Sequence, residues 1–159
     1  MQFQPKTEAE IAEANLWPEG EYGFEILDEV TMGTKTYYTM DTKSKKTDAD
    51  MIQLVVKVYD NEGQFRTIID YLIASMEFKL RHAAAACGLL PQYETGSLTA
   101  NDFKGKQGFL KLRIGKAQGD YPAKNEVKDY IAPDSETVSH APPPGHPAAT
   151  APIEDDIQF

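Results

Sequence analysis

Residues 51–88 constrain the fold more than any other stretch of this chain. Met51–Tyr59 alternates, with Ile52, Leu54, Val56 and Val58 on one side and Gln53, Val55, Lys57 and Tyr59 on the other. A period of two is that of a half-buried strand. Asp60-Asn61-Glu62-Gly63 reads as a hairpin turn, and Gln64–Leu72 as the returning strand. Ser75 then stands as the N-cap of a helix that runs to about Cys87 and stops at Gly88. Met76, Leu80, Ala84 and Cys87 share one face of that helix, and Ala83 to Ala86 let it lie close against a sheet.

The flanking elements complete a pattern. Thr7–Asn15 has helix-forming composition, with Thr7 and Glu10 spaced as a capping box and Pro18 as a stop. Glu21–Val30 alternates as a first strand, with Tyr22, Phe24 and Ile26 on one face. Residues 31–50 form a long polar loop, part of which can extend that strand or make a small hairpin. Beyond the helix, Phe109–Ile114 and Glu126–Ile131 read as two further strands, joined by a loop over Gly115–Lys124. The order is β-β-β-α-β-β, all-β with one intervening helix. That is the order of the OB-fold, a five-stranded Greek-key barrel. An SH3-like barrel does not normally hold a long helix at that point. The expected organisation is an acidic helical segment over residues 1–15, a barrel over 16–132 and a tail over 133–159.

Charge is unevenly spread along the 159 residues. The net charge is −9, with Lys+Arg 16 against Asp+Glu 25. Residues 1–30 carry −7, residues 31–132 carry +3 and residues 133–159 carry −5. An overall −9 argues against nucleic-acid binding, which needs Lys and Arg at phosphates, but the expected barrel is itself basic. The tail holds six of the ten prolines and no base. Its composition buries too little apolar surface to offset ordering, so it reads as a disordered linker. Ile153, Ile157 and the terminal Phe159 then reappear among Glu154, Asp155 and Asp156, a pattern that suits a docking peptide.

OB-folds bind oligonucleotides through the outer face of their second and third strands and through two loops. Single strands need cations for phosphates and rings for bases. The long loop offers Lys35, Tyr37, Tyr38, Lys43, Lys45 and Lys46. The hairpin offers Lys57, Tyr59 and Arg66. The fourth strand offers Phe109, Lys111 and Arg113, and the last loop Lys116, Tyr121 and Lys124. Phe65 and Tyr71 share a parity that reads as core.

Other chemistries find little support. Gly20–Gly23 and Gly105–Gly108 are too short for a phosphate loop. Cys87, the single cysteine, sits among alanines as an inert buried thiol, and His82 reads as a helix-surface residue. No cofactor, no metal site and no enzymatic activity are expected. One cysteine and the lack of a basic-plus-apolar leader point to the cytoplasm. No apolar run reaches the length of a membrane span, so no membrane partner is expected.

Two stretches carry a resemblance. Glu154-Asp155-Asp156-Ile157-Gln158-Phe159 resembles the acidic tip of bacterial single-stranded DNA-binding proteins, with Gln158 in place of their proline. The body resembles phage-encoded OB-fold single-stranded DNA-binding proteins. That likeness rests on Trp17-Pro18-Glu19-Gly20-Glu21-Tyr22, Lys79-Leu80-Arg81-His82, Ala86-Cys87-Gly88-Leu89, Gly105-Lys106 and Tyr121-Pro122-Ala123-Lys124-Asn125-Glu126-Val127. The resemblance implies coating of single-stranded DNA during phage replication and recombination in the host cytoplasm. It also implies recruitment of replication and recombination proteins through the tip, and often homo-oligomers. An RNA-binding protein fits the same residues. The competing reading is a protein-interaction or DNA-mimicking inhibitor of a host nuclease or polymerase, which has no use for a +3 middle.

Overall fold

The computed structural model describes residues 1–119 and 122–133. Tyr121 and the linker and tip expected over the rest of the tail lie outside the described residues. The chain is mostly β, with short helices. The strands are β1 (Gly20–Leu27), β2 (Glu29–Met32), β3 (Lys35–Tyr38), β4 (Met40–Lys43), β5 (Asp50–Tyr59), β6 (Phe65–Ile73), β7 (Gln107–Gly115) and β8 (Lys124–Ile131). The helices are α1 (Glu8–Ala14), α2 (Glu77–Ala86), α3 (Leu90–Glu94) and α4 (Ala100–Phe103).

β5 organises the six-stranded sheet. β6 covers one of its edges from Met51↔Ile73 to Tyr59↔Phe65. Its other edge is divided: β4 pairs with Asp50–Gln53, and β1 with Val55–Tyr59. β1 pairs onward with β7, and β7 with β8, all antiparallel. β2 and β3 form a separate two-stranded arm between β1 and β4. The expected hairpin is present, and its turn is held by Asp60, whose carboxylate accepts the Glu62 and Gln64 N–H groups at 2.9 Å each.

The core follows the alternation. Phe24, Ile26, Leu54, Val56, Val58, Leu72, Leu110 and Leu112 are buried on the inner face. α2 adds Ala83 and Ala84, and α4 adds Phe103. α2 comes so near β7 that a Cβ on Gly108 would lie 2.9 Å from the Ala86 carbonyl oxygen. Gly108 and the alanines therefore set that approach together.

Several sequence expectations need correcting. Residues 31–50 hold the small hairpin that the sequence allowed, as β2–β3, but more of the stretch is strand than a long loop implies, because β4 pairs with β5 as well. α2 is capped at Met76, without a side-chain cap bond, and not at Ser75. Met76 is 42% exposed instead of facing the core. α3 and α4 have no counterpart in the alternation-based reading, since both are single turns. Val55 and Tyr59, expected outward, are buried at 0% and 7% exposure, because the outer face of β5 is covered at both positions. The N-terminal capping box is as expected: Thr7 accepts the Glu10 N–H at 3.1 Å and Glu10 accepts the Thr7 N–H at 2.9 Å.

Thr39 joins the pieces. It lies where the edge of β5 passes from β1 to β4, and it is buried. Its hydroxyl donates to the Leu27 carbonyl at 2.6 Å and accepts the Val55 N–H at 3.0 Å. Its own N–H donates to the Asp28 carbonyl at 2.9 Å. A break in the ladder is thus closed by one side chain. Thr39→Val keeps the shape and removes the hydroxyl, leaving the buried Val55 N–H unpaired. We expect a loss of about 2 kcal/mol in urea unfolding, with unchanged secondary structure. A variant as stable as the parent would contradict the role given to that hydroxyl.

Candidate functional site

β6 and β8 run in the same direction, as the chain of antiparallel pairs requires. Among the described residues no backbone ladder joins them. Side chains join them instead. Near one end, Arg66 Nη1 donates to Asn125 Oδ1 at 3.1 Å. Near the other, Tyr130 donates its hydroxyl to Asp70 Oδ2 at 2.7 Å, and Lys79 Nζ donates to Asp70 Oδ1 at 2.9 Å and to the Val127 carbonyl at 3.1 Å. Burial and the Asp70 carboxylate hold the Tyr130 phenol protonated well above its ordinary range. It therefore remains a donor to Asp70.

Above this seam opens a groove of ≈ 630 Å³. Its walls are β6 from Arg66 to Tyr71, β8 from Lys124 to Val127, Arg113 on β7, Lys79 on α2, and Met32 and Tyr37 from the β2–β3 arm. The groove therefore brings together Tyr37, Arg66, Arg113 and Lys124 of the sequence-expected residues. It also contains Tyr71, Met32 and Lys79, which sequence reasoning did not select.

The outer face of the β5–β6 hairpin runs into this groove through β6. The register puts Phe65, Thr67, Ile69 and Tyr71 opposite Tyr59, Lys57, Val55 and Gln53. Phe65 and Tyr71, read from sequence as core, are 58% and 41% exposed. They face outward because Arg66, Ile68, Asp70 and Leu72 take the inner positions. Six residues of extended chain separate the two rings by about 20 Å. Lys57 Nζ lies 4.2 Å from the Phe65 ring centroid and 5.2 Å from that of Tyr59. On the arm, Lys35 Nζ lies 4.8 Å from the Tyr37 ring, and Tyr38 is half exposed.

Several expected contacts have structural partners. Tyr59 is buried and its hydroxyl donates to Glu25 at 3.3 Å, so it presents no open ring face. Arg66 is held by the N-terminal segment: Nη2 donates to the Asn15 carbonyl at 2.9 Å, and the guanidinium lies 4.5 Å from the Trp17 ring centroid. Asn125 also ties down Trp17, accepting its N–H at 2.8 Å and donating to its carbonyl at 2.9 Å. Arg113 pairs with Glu126 at 3.1 Å and Lys43 with Asp50 at 3.6 Å. Among the described residues, none of Lys35, Lys57, Lys111, Lys116 and Lys124 is in an ion pair. Lys43, Lys45 and Lys46 lie off the groove, on β4 and the turn into β5. Phe109 and Lys111 lie on β7, and Lys116 follows it; none of the three lines the groove.

The remaining reactive groups are occupied by structure. His82 Nδ1 meets Asp129 at 2.9 Å. Among the described residues no cluster of three or more His, Cys, Asp or Glu could hold a metal ion, and no helix is long and apolar enough to cross a membrane. Cys87 is buried, and burial pushes its thiol up to about 12, partly opposed by Lys106.

Two measurements test these assignments. The Cys87 thiol is protonated in both states below its ordinary value of 9.0, so its contribution is complete there. As pH rises towards the folded value of about 12, only the unfolded chain releases the proton, and stability falls. The parent should lose about 1 kcal/mol more than Cys87→Ala between pH ~8 and ~10. Equal losses would show that the thiol is not shielded. Arg66→Ala should lower stability by about 2 kcal/mol, because it removes a charged donor from buried Asn125 and from Asn15. Neither a scan of protein-family models nor a search of curated proteins finds a match to this chain.

Proposed function

We propose that this chain is a sequence-independent single-stranded DNA-binding protein on an OB-like barrel. It acts without catalysis in phage DNA replication and recombination, in the host cytoplasm. Its C-terminal residues, Glu154, Asp155, Asp156, Ile157 and Phe159, recruit partner proteins. The barrel reading is supported by the central hairpin, by α2 between β6 and β7, and by β6 lying parallel to β8 without a ladder. Such barrels are commonly part-open at one seam.

The observation that carries the binding reading is the pair of exposed rings, Phe65 and Tyr71, on a strand that also walls the groove. Bases offer π-faces irrespective of sequence, and each stack contributes roughly 1–3 kcal/mol. Tyr37 faces the same space from the arm. Lys57, Lys35 and Lys124 stand near these rings for phosphates, with Lys111 and Lys116 further along β7. A strand lying over β6 thus meets rings and cations together. A duplex keeps its bases stacked inside and offers nothing to Phe65 or Tyr71.

The tip has its own mechanism. The Phe159 side chain can fill an apolar pocket of a partner protein. Its acids steer it to a basic rim.

A titration of fluorescent oligo-dT tests the reading. Single strands should bind more tightly than duplex. With about four phosphates contacted, log K should fall against log salt with a slope near −3. Phe65→Ala and Tyr71→Ala should each weaken binding by about 1–3 kcal/mol without changing that slope. Preference for duplex, or no salt dependence, would overturn it. Tighter binding to oligo-U than to oligo-dT would assign the site to RNA. Removing residues 153–159 should preserve or raise DNA affinity and abolish capture of partners. Equal capture by the shortened chain would remove the tip from the proposal.

A further inference from the structure

Phe78 is the most exposed large apolar side chain in the folded body, at 81%. It stands on the first turn of α2, a helix that buries Ala83, Ala84 and Ala86 against the sheet and has no packing use for that ring. Its neighbour Lys79 is part of the groove wall and closes the seam on Asp70 and the Val127 carbonyl. Phe78 does not itself line the groove; it precedes Lys79 in the chain, next to the wall that α2 contributes. The ring is not loose there. It leans on His82, one helical turn on, at 6.2 Å between centroids, and His82 is fixed by Asp129 on β8 at 2.9 Å. One side of the ring is supported and the other is open to solvent.

We propose that Phe78 is a stacking platform for a base of the single strand where it leaves the groove past α2. The inference rests on the single-strand reading above and extends it by a residue outside the barrel strands. The electrostatics of this end favour stacking over phosphate contact. The Lys79 charge is already matched by Asp70, both side chains being nearly buried at 13% and 11% exposure, and Glu77 precedes Phe78. Arg81, further along α2, is paired with Glu94 at 3.9 Å, so a strand passing here gains little from the cations of this helix. An aromatic face is the attractive feature α2 offers it, and π-stacking tolerates any base. Tyr71 on β6 and Phe78 on α2 then mark successive points of one path, and a short strand would end before the second.

The test uses the full chain with oligo-dT of about four and about sixteen nucleotides, the lower and upper ends of the site sizes known for such folds. Phe78→Ala should weaken binding of the long strand about tenfold and leave the short strand unaffected. The salt slope should not change, since no charge is removed. Phe78→Trp should restore the long-strand affinity and add a tryptophan signal that is quenched on binding. Thermal melting checks that both variants are folded, as the exposure of this ring predicts. Parent-like binding of the long strand by Phe78→Ala would overturn the inference while leaving the groove reading intact. An equal loss on both lengths would place Phe78 in the groove contact itself and overturn the exit assignment. If the parent binds neither length, the single-strand reading fails and this inference falls with it.

Discussion

The Asp70 carboxylate is the interaction on which the rest of the arrangement depends. β6 and β8 approach in parallel, and among the described residues no ladder ties them. One oxygen of Asp70 takes the Tyr130 hydroxyl of β8, and the other takes the Lys79 ammonium of α2, which also reaches the Val127 carbonyl. Strand, strand and helix therefore meet at one side chain. A buried ion pair by itself is weak support for stability, because desolvation offsets its attraction. Here the pair is completed by a phenol and a backbone carbonyl, so each buried polar group has a partner. The result is a seam that is shut at its floor and open above. The groove is the open part of that seam.

The second constraint is Thr39. A strand edge shared by β1 and β4 would leave an orphan N–H at Val55. The hydroxyl fills that position and also binds Leu27, where the chain returns from the β2–β3 arm to the sheet. Met32 and Tyr37 reach the groove because of where that arm leaves the sheet. The arm thus links a backbone repair at one edge of β5 to the groove walled by β6 on its other edge. Loss of the repair would disturb the groove wall as well as the core.

The hairpin, the buried face of β5, the capping box and the helix stop at Gly88 were legible in the sequence because each depends on neighbours within a few residues. Gly88 adopts φ +74° and Leu89 donates to Ala84 at 2.7 Å, as a local terminator should. What was not legible depends on distant partners. The pattern of β6 reads with Phe65 and Tyr71 inside, and the structure has them outside. The decision rests on Asp70, a polar residue that sits inward only because Lys79 and Tyr130 come to meet it. Tyr59 and Val55 alternate as outward residues should, yet both are covered by neighbouring side chains or the arm. Short helices such as α3 and α4 carry too few turns for a period. The signal that could have identified Tyr71 and Phe65 was their register with Lys57, once the turn at Asp60–Gly63 was accepted.

Arg66 shows why residue type is a poor guide to an interface. It is a cation on the wall of a groove, and by composition it belongs to the set of phosphate contacts. Its guanidinium is instead divided among Asn125, the Asn15 carbonyl and the Trp17 ring. Those bonds anchor the segment that carries the −7 end of the chain, so the most acidic stretch is fixed beside one end of the groove. At physiological salt, charges are screened over about 8 Å. α1 is about 10 Å long, more than that distance, so its acids do not all act on any one cation of the sheet. Other N-terminal acids lie on β1, where Glu25 stands opposite Lys57 and Glu21 opposite Lys111 in the register of the sheet. An overall −9 therefore does not decide against a basic surface: what matters is which charges meet in the fold, and among the described residues Lys35, Lys57 and Lys124 are in no ion pair, whereas Arg66 already has its partners.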